Sequence, residues 1–240
     1  MKRLLLISSS RVHGTAFLDH AEAAIRDTFA GSQRVLFVPY ALADRDAYAR
    51  QAAARLAEMG FESESLHICS DPVRSVESAP AIFVGGGNTF RLLKSLQDRG
   101  LVEAIRRRVE ASIPYVGSSA GSIVAGPTLM TTKDMPIVQP LSFDALGLVP
   151  FQISPHYLDP DPTSTYMGET QEERINQYLE ENERPVVGLR EGSMLSIVAG
   201  SVRLEGTAGA RVFRRGYEPV ETLPGADLGP LLLPQTAAVS

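Results

Sequence analysis

Residues 115–125 have the sequence YVGSSAGSIVA, in which an apolar stretch leads into a Gly-x-Ser-x-Gly motif and then into small and aliphatic residues. A strand, this motif and a helix in that order place a nucleophilic serine on a sharp turn above the end of a sheet. The helix directs its first N–H groups and the positive end of its dipole toward the turn. We therefore predict that Ser119 is a nucleophile and that the Ala120 N–H is one donor of an oxyanion hole. The alternative is a tight turn whose small residues serve packing only.

Strands and helices alternate regularly up to this motif. Aliphatic runs typical of strands buried on both faces occur at residues 3–8, 34–39 and 81–84. Apolar residues with helical spacing lie between them, at residues 15–29 and 44–59. This alternation predicts an α/β fold with a mainly parallel, doubly wound sheet and helices on both faces. After residue 185, short strands separated by turn glycines predict a small antiparallel C-terminal extension.

Composition excludes several classes of protein. The chain has 240 residues, one cysteine and a net charge of −5, from 23 Lys and Arg against 28 Asp and Glu. One cysteine cannot form an internal disulfide or a cysteine-based zinc site, and net negative charge is not typical of a nucleic-acid-binding protein. The apolar runs are far shorter than the roughly 18–20 residues that span a bilayer. We expect a cytoplasmic protein with neither a nucleic-acid partner nor a membrane association.

The length of the chain also predicts its domain organisation. A chain of 240 residues can form one well-buried α/β domain. From Leu223 onward the sequence is rich in Pro, Leu, Gly and Ala without periodicity. We expect residues 1–222 to form a single domain and residues 223–240 to form an irregular tail.

A serine hydroxyl becomes an effective nucleophile only when a base removes its proton. The chain offers four histidines, at positions 13, 20, 67 and 156. His156 follows a short apolar run and a proline, which predicts a position at the end of a strand. We take His156 as the base, with His13, which follows the first strand, as the alternative.

A carboxylate should fix the tautomer of the base and stabilise its charged form. Two candidates follow from the sequence. Asp134 would give the chain order Ser, Asp, His, whereas Glu191, which follows a predicted strand, would give Ser, His, Glu. Spacing alone does not choose between them.

A glycine-rich loop, Gly85-Gly86-Gly87-Asn88, follows another predicted strand. Its glycines allow positive φ and close backbone approach, so successive N–H groups can bind an anion. The loop lacks the Lys-Ser/Thr of a phosphate-binding loop and the last glycine of a dinucleotide fingerprint. An oxyanion-hole donor at Gly87 needs neither, and an ordinary tight turn is the alternative. Asn88 can cap the next helix, and we include it among the substrate-binding candidates.

These motifs in this order resemble the peptidase E family of aspartyl dipeptidases, serine peptidases that cleave dipeptides with an N-terminal Asp. The similarity extends from residue 2 to about residue 215. The matching stretches are GGGNTF at 85–90, GSSAG at 117–121, TTKDMPIV at 131–138, PH at 155–156, GET at 168–170 and EG at 191–192.

The resemblance implies a doubly wound fold related to class I glutamine amidotransferases. It implies Ser119 as the nucleophile, His156 as the base, and the N–H groups of Gly87 and Ala120 as oxyanion donors. It also implies that the acid is the position of Asp134 or that of Glu191, and that the enzyme uses no metal or other cofactor.

The chain departs from the family pattern in three places. Ser118 stands where an aromatic residue is common, and Ser154 stands where an asparagine is common. Family members usually have an arginine after Gly-Glu-Thr, thought to bind the Asp carboxylate of the substrate, and this chain has Gln171 there. A charge-assisted pair worth about 1.5–3 kcal/mol would be lost. Either Arg174 or Arg190 substitutes, or the substrate preference has shifted; for both arginines the alternative is a solvated helix face or rim.

The expected function is therefore hydrolysis of Asp-X dipeptides by a serine peptidase, through a Ser119–His156–acid triad and an acyl-enzyme. The expected partner is a dipeptide, and the expected assembly is a monomer or homodimer. Two alternatives stay open. One is an esterase or amidase with the same triad, and the other is a non-catalytic, amidotransferase-like domain that binds a small ligand or a partner.

Overall fold

Two β-sheets organise the chain in a computed structural model, which describes residues 1–163, 165 and 167–233. The strands of these residues are β1 (Arg3–Ile7), β2 (Arg34–Val38), β3 (Glu62–Ser65), β4 (Ile82–Val84), β5 (Tyr115–Ser118), β6 (Gln152–Ser154), β7 (Val186–Leu189), β8 (Ser193–Val198), β9 (Ser201–Gly206), β10 (Ala210–Arg214) and β11 (Tyr217–Thr222). The α-helices are α1 (Glu22–Thr28), α2 (Arg45–Glu58), α3 (Pro72–Ser78), α4 (Thr89–Asp98), α5 (Leu101–Glu110), α6 (Ala120–Ile123) and α7 (Gln171–Glu181).

The larger sheet has the strand order β3-β2-β4-β5-β1-β8-β9. Its first five strands are parallel, whereas β8 pairs antiparallel with β1 and β9 pairs antiparallel with β8. Successive side chains of a strand point to opposite faces. Accordingly, Leu4 packs in one core cluster with Leu93 of α4, and Leu5 packs in the other with Leu56 of α2. The predicted mainly parallel, doubly wound fold with helices on both faces is confirmed.

The smaller sheet has the strand order β11-β10-β7-β6. β10 pairs antiparallel with β7 and β11, but β7 pairs parallel with β6. Parallel neighbours need a crossover connection, which α7 supplies between β6 and β7. The strands after residue 185 are thus divided between two sheets, since β8 and β9 extend the larger sheet and β7, β10 and β11 belong to the smaller one.

The first helix is shorter than its apolar spacing predicts. Residues 15–29 have helical spacing, but α1 covers only Glu22–Thr28, after a 3-10 turn at Asp19–Ala21. Leu18 has a φ of 63°, which interrupts a right-handed helix. The preceding segment folds back instead, with the Leu18 N–H donating to the Ser10 carbonyl at 2.7 Å.

Residues 223–233 pack against β9. The Leu228 N–H donates to the Val202 carbonyl at 2.7 Å, and Leu228 and Leu231 are both buried. A 3-10 helix covers Gly229–Leu232. The rest of the predicted tail, residues 234–240, lies outside the described residues. Within the described ranges, no helix combines the length and the apolar character needed to cross a bilayer.

Candidate active site

The turn that carries Ser119 joins β5 to α6 at the carboxyl end of the parallel strands. Ser119 has a φ of 50° and a ψ of −109°, a conformation that costs a non-glycine residue about 1–3 kcal/mol. The flanking glycines are sterically required. A Cβ at Gly117 would lie 2.5 Å from the Gly121 carbonyl oxygen, and a Cβ at Gly121 would lie 2.2 Å from the Val84 carbonyl oxygen. Close packing of backbone on backbone therefore holds the serine in its strained conformation.

A continuous series of hydrogen bonds starts at this serine. Ser119 Oγ lies 2.9 Å from His156 Nε2, and His156 Nδ1 lies 2.8 Å from Glu191 Oε1. The side chains of His156 and Glu191 are 37% and 47% exposed, so both are accessible to solvent, Glu191 more than His156. A serine, a base and a carboxylate in this order can generate and stabilise a serine nucleophile. His13, the alternative base, is exposed in the loop after β1.

The two sheets each contribute half of this arrangement. Ser119 and the glycine-rich loop follow β5 and β4, which are parallel neighbours in the larger sheet. His156 and Glu191 follow β6 and β7, which are parallel neighbours in the smaller sheet. Because the carboxyl ends of parallel neighbours meet at one edge, each sheet brings two functional segments together. Ser8, at the end of β1, links the halves, since its Oγ accepts from the His156 N–H at 2.9 Å and donates to the Leu189 carbonyl at 2.9 Å.

The glycine-rich loop lies directly against Ser119. A Cβ at Gly86 would lie 3.0 Å from the Ser119 Cβ, so glycine permits the contact. The Gly86 N–H donates to the Tyr48 hydroxyl at 2.8 Å, and burial raises the pKa of Tyr48 to about 12. Among the described residues, the N–H groups of Gly87 and Ala120 have no acceptor within the protein. Both N–H groups are thus unpaired among the described residues, as oxyanion donors must be, and their role in an oxyanion hole stays a prediction.

Asp134 and Asn88 attach one loop to the start of α4. Asp134 Oδ2 accepts from the Thr89 N–H at 2.7 Å and from Thr89 Oγ1 at 2.6 Å. Asn88 caps α4 through its Oδ1 and donates from Nδ2 to the Met135 carbonyl at 2.9 Å. The hydrogen bonds of Asp134 are therefore made with Thr89 and its surroundings, and His156 is not among its partners. Within the described part of the chain, no group of three or more His, Cys, Asp or Glu side chains is arranged to hold a metal ion.

The residues considered for substrate binding have different surroundings. Gln171 Nε2 donates to the His156 carbonyl at 3.1 Å. Arg190 forms ion pairs with Asp159, at 2.7 Å, and with Glu221, and these two carboxylates raise the pKa of its guanidinium far above the usual value. Arg174 is half-exposed and lies 3.5 Å from a carboxylate oxygen of Glu169.

Lys133 lies at the site although sequence reasoning did not select it. Its Nζ donates to the His156 carbonyl at 2.8 Å, the same oxygen that Gln171 contacts. Desolvation lowers the pKa of the ammonium group to about 8; Asp134 and Glu191 partly oppose this shift, and Arg174 adds to it. The only signal in the sequence was its place beside Asp134 in the TTKDMPIV stretch, where a lysine is indistinguishable from a solvated surface charge.

The strand order and the strand–turn–helix around Ser119 define an α/β protein with a class I glutamine amidotransferase-like fold. The crystal structure of a peptidase from an acI-B1 Actinobacterium has this fold, with a TM-score of 0.70 at 17% identity, covering 95% of this chain and 96% of that one. The chain belongs to Peptidase family S51, whose family model matches residues 4–205.

Relatives with known names cover almost the whole chain. The Peptidase E of Streptomyces coelicolor is 51% identical over 229 residues, which is 95% of this chain and 94% of the relative. A Drosophila melanogaster protein named "probable alpha-aspartyl dipeptidase" is 46% identical over 234 residues, 96% of this chain and 98% of the relative. The resemblance to the peptidase E family is confirmed.

Proposed function

We propose that this chain is a serine dipeptidase that hydrolyses dipeptides with an N-terminal Asp. Ser119 acts as the nucleophile, His156 as the general base and then general acid, and Glu191 as the carboxylate that orients His156. The hydrogen-bonded series from Ser119 through His156 to Glu191 carries the proposal. Membership of Peptidase family S51 supports the peptidase activity, and the name of the Drosophila relative supports the preference for aspartyl substrates.

The first step forms an acyl-enzyme. Ser119 Oγ attacks the carbonyl carbon of the dipeptide while His156 Nε2 takes the hydroxyl proton, and the carbonyl oxygen becomes negatively charged. The N–H groups of Gly87 and Ala120 stabilise that oxygen, and loss of one such donor typically costs about 3–4 kcal/mol of transition-state stabilisation. His156 then gives its proton to the leaving amine as the C–N bond breaks. Glu191 stabilises the charged imidazole in between.

The second step returns the enzyme to its starting state. A water molecule attacks the ester carbon of the acyl-enzyme, and His156 takes one of its protons. The Ser119 Oγ–carbon bond breaks, His156 returns the proton to Ser119, and the amino acid with its new carboxylate leaves. General acid–base catalysis of this kind contributes about 10²–10⁴-fold to the rate.

Replacement of Ser119 tests this function. We expect Ser119→Ala to lower kcat for Asp-Leu by about 10³-fold or more, because only the oxyanion donors and substrate binding would be left. Ser201→Ala, at an exposed serine on β9, is the matched control and should keep full activity. A fluorophosphonate should label the wild type and Ser201→Ala but not Ser119→Ala. A Ser119→Ala variant that cleaved Asp-Leu at nearly the wild-type rate would rule out the mechanism.

The same measurements separate the other two functions. Hydrolysis of p-nitrophenyl esters without cleavage of any dipeptide, with Ser119 still labelled, would identify an esterase. Absence of both labelling and hydrolysis would identify a binding domain without catalytic activity.

A further inference from the structure

A positive group would best balance the side-chain carboxylate of an acidic dipeptide, and the substrate-binding candidates Gln171, Arg174 and Arg190 offer little unpaired positive charge. The chain as a whole has a net charge of −5. Gln171 is uncharged, and Arg190 is already paired with two carboxylates. Arg174 is half-exposed and faces Glu169 at 3.5 Å. Lys133, whose ammonium group contacts the His156 carbonyl, is a further candidate for balancing a substrate carboxylate.

The segment at residues 131–135 connects the glycine-rich loop to His156. At one end, Asp134 and Met135 are bound to Thr89 and Asn88, which directly follow Gly87. At the other end, the Lys133 ammonium group donates to the His156 carbonyl at 2.8 Å. Lys133 therefore contacts His156, whose ring is hydrogen-bonded to Ser119. The segment that carries Lys133 is bound next to Gly87, a proposed oxyanion donor.

The Lys133 ammonium group has hydrogen-bond donors that no group of the described residues accepts from. An ammonium group carries three N–H donors, and the His156 carbonyl occupies one of them. No carboxylate of the described residues lies within 4.0 Å of Nζ, in contrast to Arg174 and Arg190. Lys133 also lines a cavity together with Ser154, Gln171 and Arg174. A lysine that lines a cavity and has no described carboxylate within 4.0 Å of its ammonium group is suited to binding an anionic ligand group.

We propose that Lys133 binds the side-chain carboxylate of the N-terminal Asp of the substrate and thereby sets the preference for Asp-X dipeptides. Gln171 shares the His156 carbonyl with Lys133, so it fixes the position of the cavity wall and supplies an uncharged donor beside the ammonium group. This assignment rests on the proposed dipeptidase function. Lys133 is a specificity residue in this scheme, because it contacts the substrate away from the scissile bond.

Comparison of an acidic dipeptide with its neutral counterpart tests the assignment. Asp-Leu and Asn-Leu differ in charge but hardly in shape. We expect Lys133→Met to lower kcat/KM for Asp-Leu by about 10- to 100-fold, the range of a charge-assisted hydrogen bond, and to change Asn-Leu by less than about 3-fold. Lys133→Arg should retain most of the preference for Asp-Leu. Lys94→Met removes an exposed charge from α4 and should leave both substrates unchanged.

The outcomes distinguish this inference from the function on which it rests. A wild type that cleaves Asp-Leu, with an unchanged Asp-Leu to Asn-Leu ratio in Lys133→Met, would overturn the role of Lys133 alone. An equal loss on both substrates would also overturn it, since that result indicates a structural effect on His156. A wild type that cleaves no Asp-X dipeptide would overturn the proposed function itself. Retained cleavage of Asn-Leu in Lys133→Met shows that the variant is folded.

Discussion

Changing Glu191 to glutamine removes the charge at the end of the hydrogen-bonded series and keeps the shape of the side chain. Glu191 Oε1 lies 2.8 Å from His156 Nδ1, and an amide there can present its NH₂ group, which favours the wrong tautomer of the ring. In a buried serine-protease triad, an equivalent change lowers kcat by about 10⁴-fold. Here the Glu191 side chain is 47% exposed, so water screens part of the interaction. We expect kcat of Glu191→Gln to fall by about 10²–10³-fold.

The matched variant is Asp134→Asn, which makes the same chemical change at the other candidate acid. Asp134 accepts from the Thr89 N–H at 2.7 Å and from Thr89 Oγ1 at 2.6 Å, at the start of α4. Loss of a charged acceptor with these partners should reduce the free energy of unfolding by about 1–3 kcal/mol. Its kcat should stay within about 10-fold of the wild type, because the hydrogen bonds of Asp134 are made with Thr89 and Thr132 and none with His156.

Steady-state kinetics on Asp-Leu, combined with urea unfolding of both variants, give the comparison. The expected pattern is a loss of kcat without loss of stability for Glu191→Gln, and the reverse for Asp134→Asn. The reasoning would be refuted if Asp134→Asn lost about 100-fold in kcat at unchanged stability while Glu191→Gln stayed within about 3-fold.

Two further predictions concern pH and packing. Because desolvation lowers the pKa of Lys133 to about 8, its charge is present below that pH and lost above it, so the Asp-Leu to Asn-Leu ratio of kcat/KM should fall as pH rises through 8. A pH series checks this, and an equal fall in Lys133→Arg would contradict it. Gly121→Ala should reduce the free energy of unfolding by about 1–3 kcal/mol or more, since its Cβ would lie 2.2 Å from the Val84 carbonyl oxygen. Gly216→Ala, at φ +75° in open space, should cost about 1 kcal/mol in the same denaturation assay, and equal losses would contradict the steric argument.

The turn around Ser119 could be predicted because all of its determinants are local. The strand, the two glycines and the start of α6 fall within residues 115–125, so the motif is complete in the sequence. The parallel sheet could also be predicted from the sequence, because continuous apolar runs typical of buried strands alternate with segments whose apolar residues have helical spacing. The short length of α1 could not be predicted, because the positive φ of Leu18 depends on how the preceding loop folds back on Ser10.

The hydrogen bond of His156 to Glu191, and not to Asp134, could not be predicted from the sequence, because it depends on strand pairing. β6 has only three residues, and its parallel register with β7 sets Ser154 opposite Gly188. That register brings the residues after the two strands, His156 and Glu191, side by side. Lys133 is a similar case. Its neighbours in the sequence are polar, as they would be around a lysine on the solvated surface. Only the tertiary contact with the His156 carbonyl distinguishes Lys133 from a surface lysine.

The division of the site between two sheets makes their junction part of the catalytic geometry. The proposed nucleophile and oxyanion donors follow strands of the larger sheet, and the proposed base and acid follow strands of the smaller one. The Ser119–His156 distance of 2.9 Å therefore depends on how the sheets are joined. Ser8 is buried at this junction and bonds both the His156 N–H and the Leu189 carbonyl, just before the segment that carries Glu191. In the proposed mechanism, the Ser8 hydroxyl at the end of β1 therefore helps to position the backbone of His156 and the end of β7 relative to Ser119.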